Sequence, residues 1–402
     1  MTLPPIEVLP PAIKRIRNYD CWVFRDELAR PVDSLSPGTI VEVVDRTGTF
    51  VAYASYNHHA HIPLRIFSTA KEQPVDRRLL RSRLQQAIAT RQRLSQTNAK
   101  RLVFSEADGL PGLIVDQYAD WLVIQIRTAG MEVLRPLLLA ELTSLLPTNG
   151  ILERSDKEFR DDEGLPPVTR LLQGTVPDRI RITEGALQFW VDPHRGLKTG
   201  FYLDQRWTRG RLLGWVQPGQ RVLDAFSYTG SLGIAAAAAG AQVICVEQTE
   251  AFVEMAKENA RLNHVEDRIE YVAGDAFYWL QANPRAAGSY DWVLLDPPAL
   301  AKTKSQVTKA RQALHHLVVH SLPLLRPQGS LMLSVCTYHL LELVEEIVRI
   351  AASDRGIRLS VRDQWGQAED HPWILQLPAS RYLTSWLCVR DPLEHVIAQI
   401  EQ

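Results

Sequence analysis

Val222–Gly233, VLDAFSYTGSLG, is the stretch whose reading decides the fold. Its apolar start ends in Asp224, and Gly230 and Gly233 then lead into the alanine-rich run Ala235–Ala239. The pattern predicts a strand, a tight turn and a helix. Its glycine spacing is not the GxGxxG of dinucleotide binders, where backbone must approach a pyrophosphate at a helix N-terminus. An acidic residue closes the strand instead, which suits a ligand with a cationic amino-acid end. Gly230 is expected to let backbone come close to that ligand.

Outward from this stretch, apolar runs alternate with helical patterns. RVLDAF is followed by a helix through Ala235–Ala239, QVICVE by a helix from Ala251 to Asn263, and IEYVAGDAF by DWVLLDPP; a helix from about Ser305 to Leu325 precedes SLMLSVC. Such alternation predicts an α/β, doubly wound, mainly parallel sheet, whose ligands bind outside the carboxyl ends of the strands. The informative residues fall at those ends. Glu247 closes the second strand, where a carboxylate accepts hydrogen bonds from ribose hydroxyls, and Asp275 closes the third, within reach of an adenine amino group. Asp296 closes the fourth, before Pro297 and Pro298, which hold the turn extended. A single acidic strand tip is an ordinary cap or turn former. Three in succession followed by Asp-Pro-Pro argue for a nucleotide-like ligand.

The next strand tip, SVCTYH, carries Cys336. A thiolate there is placed to attack C6 of a pyrimidine and activate C5, with His339 as a neighbouring base; the plain alternative is a small buried packing residue. Cys21, Cys245 and Cys388 stand alone and read as packing residues. No cysteine pair has metal or redox spacing, so no metal is expected and a reducing, cytoplasmic setting fits. Met1–Arg15 has no hydrophobic signal core, and no apolar run approaches the about 20 residues that span a bilayer.

The 402 residues are too many for one ordinary core. Net charge is −1, but Lys and Arg outnumber Asp and Glu up to Arg101 and are outnumbered beyond it. Much of the excess lies between Asp76 and Arg101, which reads as a helix with Leu79, Leu80, Leu84, Ala87 and Ile88 along one side. A basic front end suggests a polyanionic partner, nucleic acid above all, against the plainer reading of a solvated helix face. Ahead of it, TIVEVVDRTGTFVAYASYN predicts a hairpin about Arg46–Gly48, and Ile62–Ser68 a further strand. Between Leu102 and Trp190 the pattern is mixed: strands on both sides of Tyr118–Asp120, a helix from Arg135 to Leu146 with Pro136 in its first turn, strands at ILERS and RIRITEGALQFWVD, and an exposed charged loop, KEFRDDEGLPP.

The ordered acidic tips resemble class I S-adenosylmethionine methyltransferases from about Arg221 to Val389. VDPHRGLKTGFYLDQR (Val191–Arg206), DCWVFRDEL, SEADGLPGLIVDQYADWLVIQ and ILERSDKEFRDDEGL extend the likeness along nearly the whole chain. Together they resemble the bacterial 23S ribosomal RNA cytosine-C5 methyltransferase I family. That resemblance implies a PUA-like RNA-binding domain over 1–73, a central α+β domain with the basic helix over 74–190, and a Rossmann-like methyltransferase domain over 191–402. It implies Cys336 and Asp296 as catalytic, and S-adenosylmethionine held by Tyr202, Asp204, Gln205, Asp224, Phe226, Ser227, Tyr228, Gly230, Glu247, Asp275, Ala276 and Asp296. It implies ribosomal RNA as partner, gripped by the basic helix and by Tyr53, Tyr56, His58 and Arg65, and it allows a homodimer. Two departures stand out: Ala299-Leu300 follows the prolines where the family has a Lys-Phe-like pair, and Val335 and Thr337 flank the cysteine where the family has serines. A related branch methylates guanine nitrogen without a thiol, and a non-catalytic RNA-binding protein is the remaining alternative.

Overall fold

The computed structural model describes residues 3–156, 160–283, 286–301 and 303–392. The chain divides into two compact units, one of residues 1–185, 191–203 and 369–380, the other of 186–190, 204–368 and 381–402.

The first unit holds two sheets with separate cores. β1 (Pro5–Glu7), α1 (Pro10–Arg17), β2 (Trp22–Val23), β3 (Thr39–Val44), β4 (Phe50–Tyr56) and β5 (Leu64–Ser68) form the first, with strand order β1-β3-β4-β5-β2. The expected hairpin is β3–β4, and Gly48 at its turn has φ +79°. α2 (Arg77–Arg91) follows, capped by Asp76, whose carboxylate accepts from Leu79 N at 3.0 Å, and it buries Leu79, Leu80, Leu84 and Ala87. β6 (Ala99–Phe104), β7 (Leu113–Tyr118), β8 (Trp121–Ile126), α3 (Ala129–Leu145), β9 (Gly150–Ser155) and β10 (Val168–Gly174) build the second sheet, order β10-β9-β8-β7-β6. β11 (Ile180–Glu184) and β12 (Leu187–Val191) pair as a ribbon.

Two expectations need correction in this unit, and a third needs it in part. α3 starts at Ala129, well before Arg135, because Thr128 caps it by accepting from Met131 N; Pro136 therefore lies inside the helix. The charged loop after β9 is exposed at Asp161, Asp162, Gly164, Pro166 and Pro167, as expected, but two of its charges are not. Lys157–Phe159 lie outside the described residues, but Arg160 is 2% exposed and Glu163 4%. The Arg160 guanidinium donates to the carbonyls of Ile126 at 2.6 Å and Pro166 at 2.7 Å. Glu163 accepts from Asn57 Nδ2 at 2.8 Å, Ala129 N at 3.1 Å and Arg65 at 3.2 Å, so one carboxylate ties β4–β5 to the start of α3. Absent periodicity marked a loop here, and two of its charges, Arg160 and Glu163, are spent on internal partners. Residues 191–203 also belong with this unit, not with the methyltransferase sheet. Thr199 Oγ1 donates to Asp116 at 2.5 Å, and Arg154 donates to Gly196 O at 2.6 Å, all buried.

In the second unit, α4 (Arg206–Trp215) leads into alternating elements: β13 (Arg221–Ala225), α5 (Ser231–Ala238), β14 (Gln242–Glu247), α6 (Glu250–Leu262), β15 (Ile269–Ala273), α7 (Ala276–Ala282), β16 (Tyr290–Leu295), α8 (Val307–Ser321) and β17 (Leu325–Val335). α9 (Val344–Asp354), β18 (Leu359–Gly366) and β19 (Thr384–Arg390) complete a seven-stranded sheet of order β15-β14-β13-β16-β17-β19-β18. β13 to β17 are parallel, and β19 runs antiparallel to both its neighbours. Strand order reverses between β13 and β16, so the tips bearing Asp224 and Asp296 flank the switch point. One core face is built by Leu223, Ala225, Val246, Val293 and Leu295 against α8 and α9. Among the described residues, no helix is long and apolar enough to cross a membrane.

Removing one partner from a buried charged cluster leaves the others uncompensated. Glu163→Ala is expected to cost about 3 kcal/mol of stability, read as a lower urea midpoint. An unchanged midpoint would show that Arg65 is satisfied by its second carboxylate, Glu106, at 2.8 Å.

Candidate active site

β13 delivers Asp224 to the centre of the sheet, and the chain then turns sharply. Phe226 N and Ser227 N both donate to the carbonyl of Val246, at 3.1 and 3.0 Å. Phe226 and Tyr228 take φ of +69° and +50°, and Gly230 takes +80°. A side-chain-bearing residue at positive φ costs about 1–3 kcal/mol and persists only where its surroundings enforce it. Here Tyr228 N donates to Glu247 Oε2 at 3.0 Å, and Gly230 N to Ser227 O at 2.8 Å. Gly230 is needed for its backbone angle and for packing, because a Cβ there would lie 3.0 Å from that of Ala256.

Two of the acidic tips, Asp224 and Glu247, brace this turn. Asp224 is fully buried; its Oδ2 accepts from Gly233 N at 2.8 Å in the first turn of α5. Its Oδ1 is buried with no hydrogen-bond partner. Burial pushes the Asp224 carboxyl up to about 8, against the pull of the Gly233 amide, with the Asp296 and Glu247 carboxylates adding to the rise. Three acidic tips thus converge. Glu247 also accepts from Thr249 N at 2.9 Å through Oε1. Asp275 is exposed and caps α7 by accepting from Tyr278 N at 3.1 Å, beside buried Ala276. Helix α7 itself was not foreseen, because GDAF read as the end of a strand.

An orphaned carboxylate oxygen with a raised affinity for protons is the arrangement a bound cation relieves. It fits the α-ammonium of S-adenosylmethionine, while Glu247 and Asp275 offer acceptor oxygens suited to ribose and adenine. Asp204 and Gln205 are both buried. Asp204 Oδ2 accepts from the Tyr382 hydroxyl at 2.6 Å, its carbonyl accepts from Ala368 N at 3.0 Å, and Gln205 accepts from Thr208 at 2.7 Å. Tyr382, 178 residues downstream, was invisible to any local pattern. Tyr202 belongs to the first unit, where Lys198 Nζ lies 4.2 Å over its ring.

β17 ends at Val335 and presents Cys336, which is half-buried and not sealed in apolar packing. Its Sγ lies 3.7 Å from the Pro297 carbonyl, in the loop that follows Asp296. The next residue, Thr337, accepts from Leu300 N at 3.2 Å in the same loop. Cys245 and Cys388 are buried, and burial pushes the Cys388 thiol up to about 12 and Cys245 well above the ordinary range; Cys21, half-exposed, is likewise raised to about 12.

The expected RNA contacts fare differently. Tyr56 is buried and its hydroxyl accepts from Val32 N at 3.0 Å; buried Tyr53 donates to Lys71 O at 3.1 Å. Arg65 bridges Glu106 and Glu163, and His58 is half-buried. Much of the basic helix is also committed internally. Arg77 and Arg81 both pair with buried Glu141, Arg83 donates to the carbonyls of Gly109 and Phe67, and Arg91 pairs with Asp108 at 2.6 Å. These four arginines are held by partners within the protein, and Arg91 is buried, so this side of the helix is not simply a solvated face.

Comparison with known proteins places these features in a family. A model of S-adenosylmethionine-dependent methyltransferases matches residues 159–358, and a PUA-like domain model matches 6–69. Proteins named ribosomal RNA large subunit methyltransferase I from Yersinia pseudotuberculosis and Yersinia pestis are 33% identical over 374 residues, covering 91% of this chain and 94% of theirs. Among solved structures, a Streptococcus mutans chain assigned to the SAM-dependent methyltransferases aligns with a TM-score of 0.83 at 19% identity, covering 96% of this chain and all (100%) of its own. A methyltransferase chain complexed with SAH aligns at 0.84 and 20% identity, covering 97% of this chain and 100% of its own. Those two likenesses are of fold. With the acidic tips converging on the switch point and the sequence match running nearly end to end, the chain belongs to the ribosomal RNA large subunit methyltransferase I family of S-adenosylmethionine-dependent enzymes.

Proposed function

We propose that this enzyme methylates C5 of a cytosine in large-subunit ribosomal RNA, with Cys336 as nucleophile. The observation that carries the proposal is the half-buried Cys336 sulfur 3.7 Å from the Pro297 carbonyl, on the strand tip beside Asp296, while the other three thiols are held protonated by burial. The name of the relatives, at 33% identity, supports ribosomal RNA as substrate.

S-adenosylmethionine would supply an electrophilic methyl group, its methyl–sulfonium bond breaking to leave the neutral thioether S-adenosylhomocysteine, in keeping with the orphaned oxygen of Asp224 and the acceptors on Glu247 and Asp275. Phe226, Ser227, Tyr228, Gly230 and Ala276 frame its seat, with Asp204 and Gln205 toward the methionine end. A target base stacked in a duplex shields C6, so the cytosine must be unpaired or flipped. The Cys336 thiolate forms a bond to C6, electron density moves to C5, and C5 takes the methyl. A base then removes the C5 proton, the C5–C6 double bond re-forms, and the C6–sulfur bond breaks to return the thiolate. Asp296 hydrogen-bonds the ring near N3 and the exocyclic amine as charge develops there.

Cys336→Ala is expected to reduce methyl transfer by about a thousandfold or more with cofactor affinity retained. Digestion of methylated RNA to nucleosides should yield 5-methylcytidine by mass. An active alanine variant, or a methylguanosine product, overturns the thiol mechanism in favour of guanine-nitrogen transfer.

Cofactor binding should also carry a proton signature. Asp224, raised to about 8, is largely protonated near pH 7 in the free protein, and an ammonium beside it favours the carboxylate. Binding therefore releases a proton, so the calorimetric enthalpy at pH 7 depends on the buffer's ionisation enthalpy. The same raised value means that the Asp224 contribution to stability is greatest below the unfolded carboxylate range and declines as pH climbs toward about 8. Asp224→Asn should abolish the buffer dependence and weaken binding about tenfold or more. Proton-neutral binding by the parent protein would remove Asp224 from the ammonium contact.

A further inference from the structure

Thr337 is 3% exposed, and its side chain reaches across to the neighbouring strand tip, where Oγ1 accepts from Leu300 N at 3.2 Å. Three residues before Leu300, the Pro297 carbonyl faces the Cys336 sulfur at 3.7 Å. The tips of β16 and β17 are therefore joined twice within a few residues. Pro297 and Pro298 have no backbone N–H, so this loop has few donors with which to hold itself in place. The Leu300 amide is one of them, and the residue that takes it is the immediate neighbour of the sulfur.

We infer that Thr337 is a positioning residue for methyl transfer: by holding the Leu300 amide, its hydroxyl keeps the Asp296–Leu300 loop and the Pro297 carbonyl set against Cys336. This rests on the reading of Cys336 as nucleophile. Valine matches threonine in shape but has no acceptor, so Thr337→Val leaves a part-buried amide without its partner and frees the loop. Asp296 then loses its fixed distance from the sulfur, and misalignment of about 1 Å can cost a hundredfold in rate. The carbonyl beside the sulfur accepts from the thiol and so favours its protonated form; releasing it makes the thiol easier to ionise. Slower transfer paired with an easier ionisation at one cysteine is not what general loosening produces, since loosening also exposes buried Cys245 and Cys388.

The test uses the full chain with Thr337→Val, Thr337→Ala and Thr337→Ser. It measures kcat and both KM values on RNA, and the pH dependence of iodoacetamide labelling at each cysteine by peptide mass. For the valine and alanine variants kcat should fall about ten- to a hundredfold with both KM values within about twofold. The Cys336 labelling midpoint should move to lower pH while labelling of the other cysteines stays as in the parent, and Thr337→Ser should restore both. Parent-like kcat and labelling in Thr337→Val and Thr337→Ala, or a serine variant as impaired as valine, overturns the inference. Activity surviving in Cys336→Ala sinks the nucleophile reading instead, while the labelling profile still reports whether Thr337 governs the sulfur.

Discussion

One backbone carbonyl organises the catalytic half of the molecule. Val246 O receives two consecutive amides, Phe226 and Ser227, and so bends the chain leaving β13 over the end of β14. Everything ligand-facing depends on that bend. It forces Phe226 and Tyr228 into left-handed conformations, and it aims the Tyr228 amide at Glu247. It also starts α5 where Gly233 N can reach Asp224. Asp224 and Glu247 each commit oxygens to this scaffold, so the turn is braced by the carboxylates that are candidates for the cofactor. Pre-organisation of this kind spares a site the reorganisation that binding otherwise demands.

The parts of the fold that a sequence declares are those with a period. Continuous apolar strands and helical spacing made β13, β14, β16, α6 and α8 legible to within a few residues, because burial on both faces of a parallel sheet leaves little choice of residue type. The acidic tips were legible for the same reason: an Asp or Glu after an apolar run is conspicuous. What stayed hidden depends on partners distant in sequence. Nothing local marks Tyr382 as the donor to Asp204, or Thr337 as the acceptor for Leu300. The positive φ of Gly230 and its closeness to Ala256 depend likewise on the folded chain rather than on a local pattern.

Charge composition pointed to a class of partner without saying which side chains are free to meet it. A run of arginines suggested a surface for polyanions, yet Arg77, Arg81, Arg83 and Arg91 have acceptors within the protein. Glu141, the partner of two of them, is buried on α3. The same logic buries Arg160 and Glu163 in a segment that reads as solvated. Net charge governs long-range attraction, but it does not say which guanidinium is free to meet a phosphate.

The interleaving of the chain has a consequence for how the protein is made. Asp370 lies fully buried in the first unit, and its carboxylate accepts from the Arg101 amide at 3.0 Å at the edge of a sheet whose strands are all complete by Gly174. Residues 191–203 return to that unit as well. On the ribosome, the early half of the polypeptide must therefore wait, sheet assembled but unsealed, for pieces translated long afterwards. Neither half is a contiguous cassette, and cutting the gene between them would divide both.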